Sequence, residues 1–367
     1  MKFLVVILFV VASVGAGSER ECNKNCKREK NCVCPSLKSP LSDADTPQFV
    51  TLTFDDPVTK LLYTDYLSKL FANRTNPDGT PITATFYVPH EYSDYQIVND
   101  LYNKGHEIAL HSVSKQSVDY WKTVSERKLA REFSNNRRII TNFAGLPERD
   151  LVGARTPHLQ ISGDKTFSVY KSVGIKYDSS WVTTSNRPFF PFTLDYPTNQ
   201  ECLIGEYPTK PYRGLWVLPI VNLLGKDKYE CNALAACQIE GSAWEIGNWL
   251  ISEFQRVYYR NKAPMTLMVN LSWFQMVENS FEGLKNFLDY VQRVRTAYVV
   301  SHSEVLNWAK RPVAVKRYRT NYHKKRRQCK PSNICSLKLR GVEERIMSVC
   351  GTCPKTYPWL GNPEGKL

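Results

Sequence analysis

Apolar residues alternate or run unbroken through FVTLTF (49–54), ITATFYV (82–88) and HEIALHSVS (106–114), a pattern that predicts three buried strands. Between them the period changes. LLYTDYLSKLFA (61–72) and SDYQIVNDLYNKG (93–105) carry apolar residues three and four apart, as helices do, the second closed by Gly105. KTVSERKLAREFSNNRRIITNFAG (122–145) reads as one long helix. TFSVYKSVG, WEIGNWLISEFQRVYYR and SFEGLKNFLDYVQRV predict further helices, while IKYDSSW, GLWVLPIV and MTLMVNLSWF predict strands. AYVVSHSEVLNWAK supplies a last strand and helix. Strands and helices in this alternation predict an α/β chain with a parallel sheet, closed or nearly closed into a barrel over about residues 46–310.

In such a barrel, functional groups gather at the C-terminal ends of the strands. Those ends carry Asp55 and Asp56, His111, Arg155, Asp178, and Asn270 with Trp273. A lone Asp there is ordinarily a helix cap or a turn residue. Two adjacent carboxylates are costly unless a cation or a shared proton relieves them, and several polar groups at successive strand ends point to a site.

TLTFDD, ALHSVS, GARTP, YDSSW and MVNLSW, in this order, resemble the motifs of the polysaccharide deacetylases, carbohydrate esterase family four. DTPQFVTLTFDD, NPDGTPITATFYV, RPFFPFTLDYP and PSNICSLKLRGVEERIMSVCGTCPKTYPW are similar to secreted arthropod chitin deacetylases lacking a separate chitin-binding domain. The resemblance implies a distorted (β/α) barrel with disulfide-rich extensions at both ends. It also implies metal-assisted removal of N-acetyl groups from chitin, with zinc or another divalent ion held by one Asp and two His. Carried over by position, Asp55 is the general base, Asp56 and His111 are metal ligands, and Arg155 orients the base. Asp178 supports the general acid, and Trp273, with Trp181 and Tyr87, would meet sugar; Phe189, Phe190 and Trp216 are further aromatic candidates.

Two positions depart from the family pattern. Lys115 stands where the second metal histidine belongs, and Asn270 where the acid histidine belongs. Thr156 and His158 also differ from the usual R-A-P-aromatic sequence. Neutral lysine would have to shed a proton whose usual pKa is about 10.4 before ligating. His90 and His158 are alternative ligands off the motif position. The simplest expectation is that the Lys115 ammonium takes the place of the ion and neutralises the two aspartates. The protein is then expected to be a catalytically impaired chitin-binding relative; the alternative is an active deacetylase with a rearranged site.

Composition sets the surroundings. MKFLVVILFVVASVGAG reads as a secretory signal (1–16) rather than a membrane anchor. Eleven cysteines crowd an N-terminal arm (17–45) and a C-terminal extension (311–367), with Cys202, Cys231 and Cys237 between. In an oxidising compartment these read as disulfides, the odd count leaving at least one unpaired; CGTC lacks the βαβ setting of a redox pair. The formal net charge is +14, and residues 310–330 contain no acid. Secretion argues against nucleic acid as partner; the resemblance implies chitin, and the basic stretch adds acidic matrix glycoproteins as a second class. Asn73 begins a sequon in a predicted loop. Asn270 begins another, but on an inner strand end where a glycan would block folding.

Overall fold

The computed structural model describes Cys22 and residues 25–198, 200–339 and 341–367, so the expected signal segment lies outside the described residues. A nine-stranded sheet forms the centre. From one edge it runs Met265–Val269, Gln48–Phe54, Ala84–Pro89, Glu107–Ser112, Gly153–Ala154, Tyr177–Asp178, Tyr212–Val217 and Phe192–Leu194, and Ala297–Val299 pairs with the first half of Gln48–Phe54. All pairings are parallel except that of the edge strand Phe192–Leu194. Among the described residues the two outer strands are not bonded to each other, so the sheet curls into a half-barrel with an open side.

The period of two sorts each strand's side chains. Val50, Leu52 and Phe54 join Phe86, Val88, Ile108 and Leu110 in the layer beneath the outer helices. Phe49, Tyr87, Ala109, Tyr177 and Trp216 face the other way, into the barrel. Both faces are covered, which is why these strands read as nearly continuous apolar runs. The barrel's polar interior is satisfied internally: His302 bonds Thr51 Oγ1 at 3.0 Å and Tyr87 Oη at 2.6 Å, and Tyr177 donates to Glu107 at 2.8 Å. Gly153 is required by close approach, since a Cβ there would lie 2.1 Å from the Tyr177 ring.

Two expected elements divide. The long helix is Val118–Thr123 and then Glu126–Ala144, because Val124 and Ser125 turn extended and end the first piece. MTLMVNLSWF is strand only over Met265–Val269; the chain then enters the helix Leu271–Met276 with Asn270 in the extended cap position. That turn carries Trp273 into the core, where it is 1% exposed.

Five disulfides pair ten of the cysteines: Cys22–Cys34, Cys26–Cys32, Cys231–Cys237, Cys329–Cys350 and Cys335–Cys353. Cys202 remains a free thiol. The two ends of CGTC therefore bond elsewhere and form no redox pair. The N-terminal arm docks through Val33 and Ser36 onto residues 190–193. The C-terminal hairpin Ser332–Leu339 with Glu343–Cys350 lies on the helix Tyr95–Asn103, where Gln96 donates to Asn333 O and Val349 O. No described helix is long and apolar enough to cross a membrane.

Candidate functional site

Thr53 and Ala109 face the barrel interior, and the next positions of the same phase, Asp55 and His111, emerge at the strand ends. Asp55 meets Arg155, whose Nη1 donates to it at 2.7 Å and to Thr53 Oγ1 at 2.8 Å. The guanidinium is fully buried, donates through Nε to Ser179 O at 2.7 Å, and lies 4.2 Å over the Tyr87 ring. Such a fork, fixed at every branch, holds the Asp55 carboxylate in one orientation.

Asp56 accepts from Leu271 N at 2.6 Å through Oδ2, which leaves Oδ1 facing the cleft. Burial raises its pKa above the ordinary carboxylate value, against the opposing pull of the Leu271 amide and Lys115 and with help from Asp55. Lys115 Nζ stands 3.9 Å from Asp56 Oδ1. His111 is buried; its Nδ1 bonds the carbonyl of Arg155 at 2.9 Å, and desolvation lowers its pKa to about 4, keeping the ring neutral. Asp55, Asp56, His111, Lys115, His158 and Asn270 line one cleft of about 350 Å³. The structure thus brings together the two carboxylates, the histidine and both substituted positions.

The loop that presents Lys115 is held from below by two residues that the sequence reading did not single out. Glu132, fully buried, accepts from Val113 N and Ser114 N at 2.9 Å each, from Tyr120 Oη at 2.9 Å, and from Ser114 Oγ. One helical turn on, Asn136 accepts from His111 N and donates to Val88 O and Ser112 O. A carboxylate and a carboxamide one turn apart on the largely apolar buried face of the helix Glu126–Ala144 were the available signal, since a buried charge must be satisfied by something.

Several expected roles do not survive the geometry. Tyr87 and Trp181 are 0% exposed and Trp273 1%. Their faces pack in the core and are unavailable to a sugar. Phe189, Phe190 and Trp216 are likewise buried. Asp178 is buried and does not line the cleft that holds Asn270; it accepts from Ser180 N at 2.8 Å and Ser180 Oγ at 2.7 Å, which orders the strand exit. His90 is spent between Tyr95 Oη (2.7 Å) and Pro358 O (2.8 Å), which removes it as a substitute ligand. His158 sits at the cleft rim and bonds Gln116 O at 3.0 Å.

The side chains present do not fit a catalytic zinc or similar ion. Asp56 Oδ1 and His111 Nε2 are available, against three protein ligands in an ordinary catalytic zinc site, and a cationic amine occupies the third position. Among the described residues, the sole convergent group of three potential metal-ligating side chains is Cys22, Cys26 and Cys34, which are disulfide-bonded.

Asp178 provides a pH test of this geometry. Burial raises its pKa from 3.8 to about 6, with Ser180 and Arg155 opposing. A raised acid pKa favours folding below the unfolded value and loses that contribution as pH rises through the folded value. Asp178→Asn should therefore gain stability relative to wild type between pH 4 and pH 6, by on the order of 2 kcal/mol. Urea denaturation at several pH values checks this. A pH-independent difference would contradict it.

The polysaccharide deacetylase family model matches residues 42–177. The chain is 34% identical to chitin deacetylase 8 of Bombyx mori, with 100% of this chain and 99% of that protein covered. It is 27% identical to chitin deacetylase 1 of Bombyx mori, over 91% of this chain and 67% of that protein. Among solved structures, the catalytic domain of a peptidoglycan N-acetylglucosamine deacetylase from Eubacterium rectale aligns at 15% identity with a TM-score of 0.43, covering 78% of this chain and 98% of that one.

Proposed function

Because this chain belongs to the polysaccharide deacetylase family, we propose that it is a secreted chitin-deacetylase-like protein that binds chitin or a related N-acetylglucosamine polymer while its hydrolytic chemistry is impaired. One observation carries the reading: Lys115 Nζ stands 3.9 Å from Asp56 Oδ1, where a family member would place a metal histidine. Asn270 compounds the loss. A carboxamide cannot deliver a proton as imidazolium does, and general acid–base assistance contributes typically about 10²–10⁴-fold. What remains is a cleft of about 350 Å³ with Asp55 held by Arg155, able to receive an acetylated sugar without cleaving it. Five disulfides and the insect relatives support an extracellular setting. Exposed Asn73 is the proposed glycan acceptor.

The test is paired. Protein incubated with chitin oligomers should release acetate at background rate, and the same protein should sediment with chitin more than with cellulose. Acetate release that Asp55→Ala abolishes would establish the alternative, an active deacetylase with a rearranged site. Failure to sediment with either polymer would end the binding proposal.

A further inference from the structure

A second concavity, of about 570 Å³, lies at the foot of the barrel and shares no lining residue with the Asp55 cleft. It forms where the helix His302–Lys310 ends and the following coil turns back. Phe49, at the start of its strand, packs its ring 5.4 Å from that of Trp308, which places the groove at the N-terminal end of the sheet. Lys310, Arg311, Arg317 and Arg319 line it. Among the described residues none of these four makes an ion pair. The groove's one carboxylate, Glu304, is turned onto Tyr318 Oη at 2.7 Å and Asn321 N at 3.1 Å. Lys176 stands close enough to Lys310 to add to the repulsion.

A helix C-terminus attracts cations, which accounts for Lys310 and Arg311. It does not account for Arg317 and Arg319, which the subsequent coil brings back to the same groove. Four cations gathered against one carboxylate, itself bonded to Tyr318 and Asn321, leave an excess of like charge that disfavours the fold unless an anion completes it. We propose that this groove is a binding site for a linear polysaccharide bearing sulfate or carboxylate groups, separate from the deacetylase-like cleft and independent of the function proposed for it. Guanidinium forks match such oxyanions with paired hydrogen bonds. Trp308 and Tyr318 are 3% and 4% exposed, so no ring is offered for stacking a nucleic-acid base. The coil 311–321 contains no strand, so the groove has no sheet edge for an extended acidic peptide to join.

The full chain is to be titrated with heparin and with hyaluronate at about 0.15 M salt, a concentration that screens most scattered surface charge. Arg311→Ala/Arg317→Ala/Arg319→Ala should lose about 10-fold or more in affinity, the order expected for removing three exposed ion pairs. Lys324→Ala/Arg326→Ala/Lys330→Ala removes the same charge outside the groove and should bind as wild type. Binding to heparin alone assigns sulfate as the recognised group; binding to both assigns either anion. Equal losses in the two triple variants would reduce the effect to net charge and overturn the site. Poly-glutamate competing as well as heparin would overturn the polysaccharide assignment in favour of an acidic peptide. Should the groove triple variant fail to fold, Arg317→Gln/Arg319→Gln reads the same loss from the coil alone.

Discussion

Lys115→His should bind about one zinc per chain, where the proposal for the wild type expects none. The argument is a count of donors and charges. Asp56 commits Oδ2 to the Leu271 amide and His111 commits Nδ1 to the Arg155 carbonyl, so each has one ligand atom left. Two ligands beside a fixed ammonium 3.9 Å from the carboxylate do not make a site for a dication. Histidine at position 115 adds the third ligand and removes the repelling charge in one step. Metal content by mass spectrometry checks the expectation. Thermal unfolding gives a second readout, because a ligand present at 100 times its Kd stabilises by about 2.7 kcal/mol. Lys115→Met separates the two causes: without charge but also without a ligand, it should remain free of stoichiometric metal. One tightly held ion in the wild type would show that another donor has been recruited, and the impaired-enzyme proposal would fall. Activity is a separate matter. Lys115→His should stay slow until Asn270→His restores a proton donor.

The second large effect is structural. Glu132→Ala should cost about 3–5 kcal/mol, because the amides of Val113 and Ser114 lose their buried acceptor together with two hydroxyl partners. For a chain of this size that is a fall of roughly 5 °C in Tm. Glu132→Gln, which keeps one acceptor oxygen but turns an NH2 toward the donors, should fall between. Hydrogen exchange ought to quicken first at residues 113–115, since those amides lose their partners and Lys115 rides on the same loop. A Tm within 1 °C of wild type (roughly 0.7 kcal/mol at this length) would mean the loop is held by something else.

The nearly continuous apolar runs at residues 49–54, 82–88 and 106–114, with helical periods between them, were enough to indicate the parallel sheet, because strands covered on both faces leave that mark whatever their neighbours. The strands' period of two carried Asp55 and His111 to the strand ends, and the resemblance to the deacetylase motifs grouped with them Asp56, Lys115 and Asn270, which line one cleft, and Arg155, which is buried against Asp55. These are local facts, written in residue type and spacing. Burial of large aromatics is not local. Tyr87, Trp181 and Trp273 present the same surface to a sugar as to a core, and only the packing of the curled sheet decides between them. Trp273 shows how: one extended residue, Asn270, ends the strand early and turns the tryptophan inward on a helix.

Tertiary structure alone decided three further matters. Glu132 and Asn136 reach the Lys115 loop across some twenty residues of sequence, a pairing that no periodicity contains. Asp178 accepts from Ser180 N and Oγ and does not line the cleft, although its place in a motif grouped it with Asn270. The charge of residues 310–330 was plain in the chain, but a linear run cannot say which cations converge. The sequence determined that the stretch is basic; the helix ending at Lys310, and the coil folding back beneath it, determined that four of its cations face one groove.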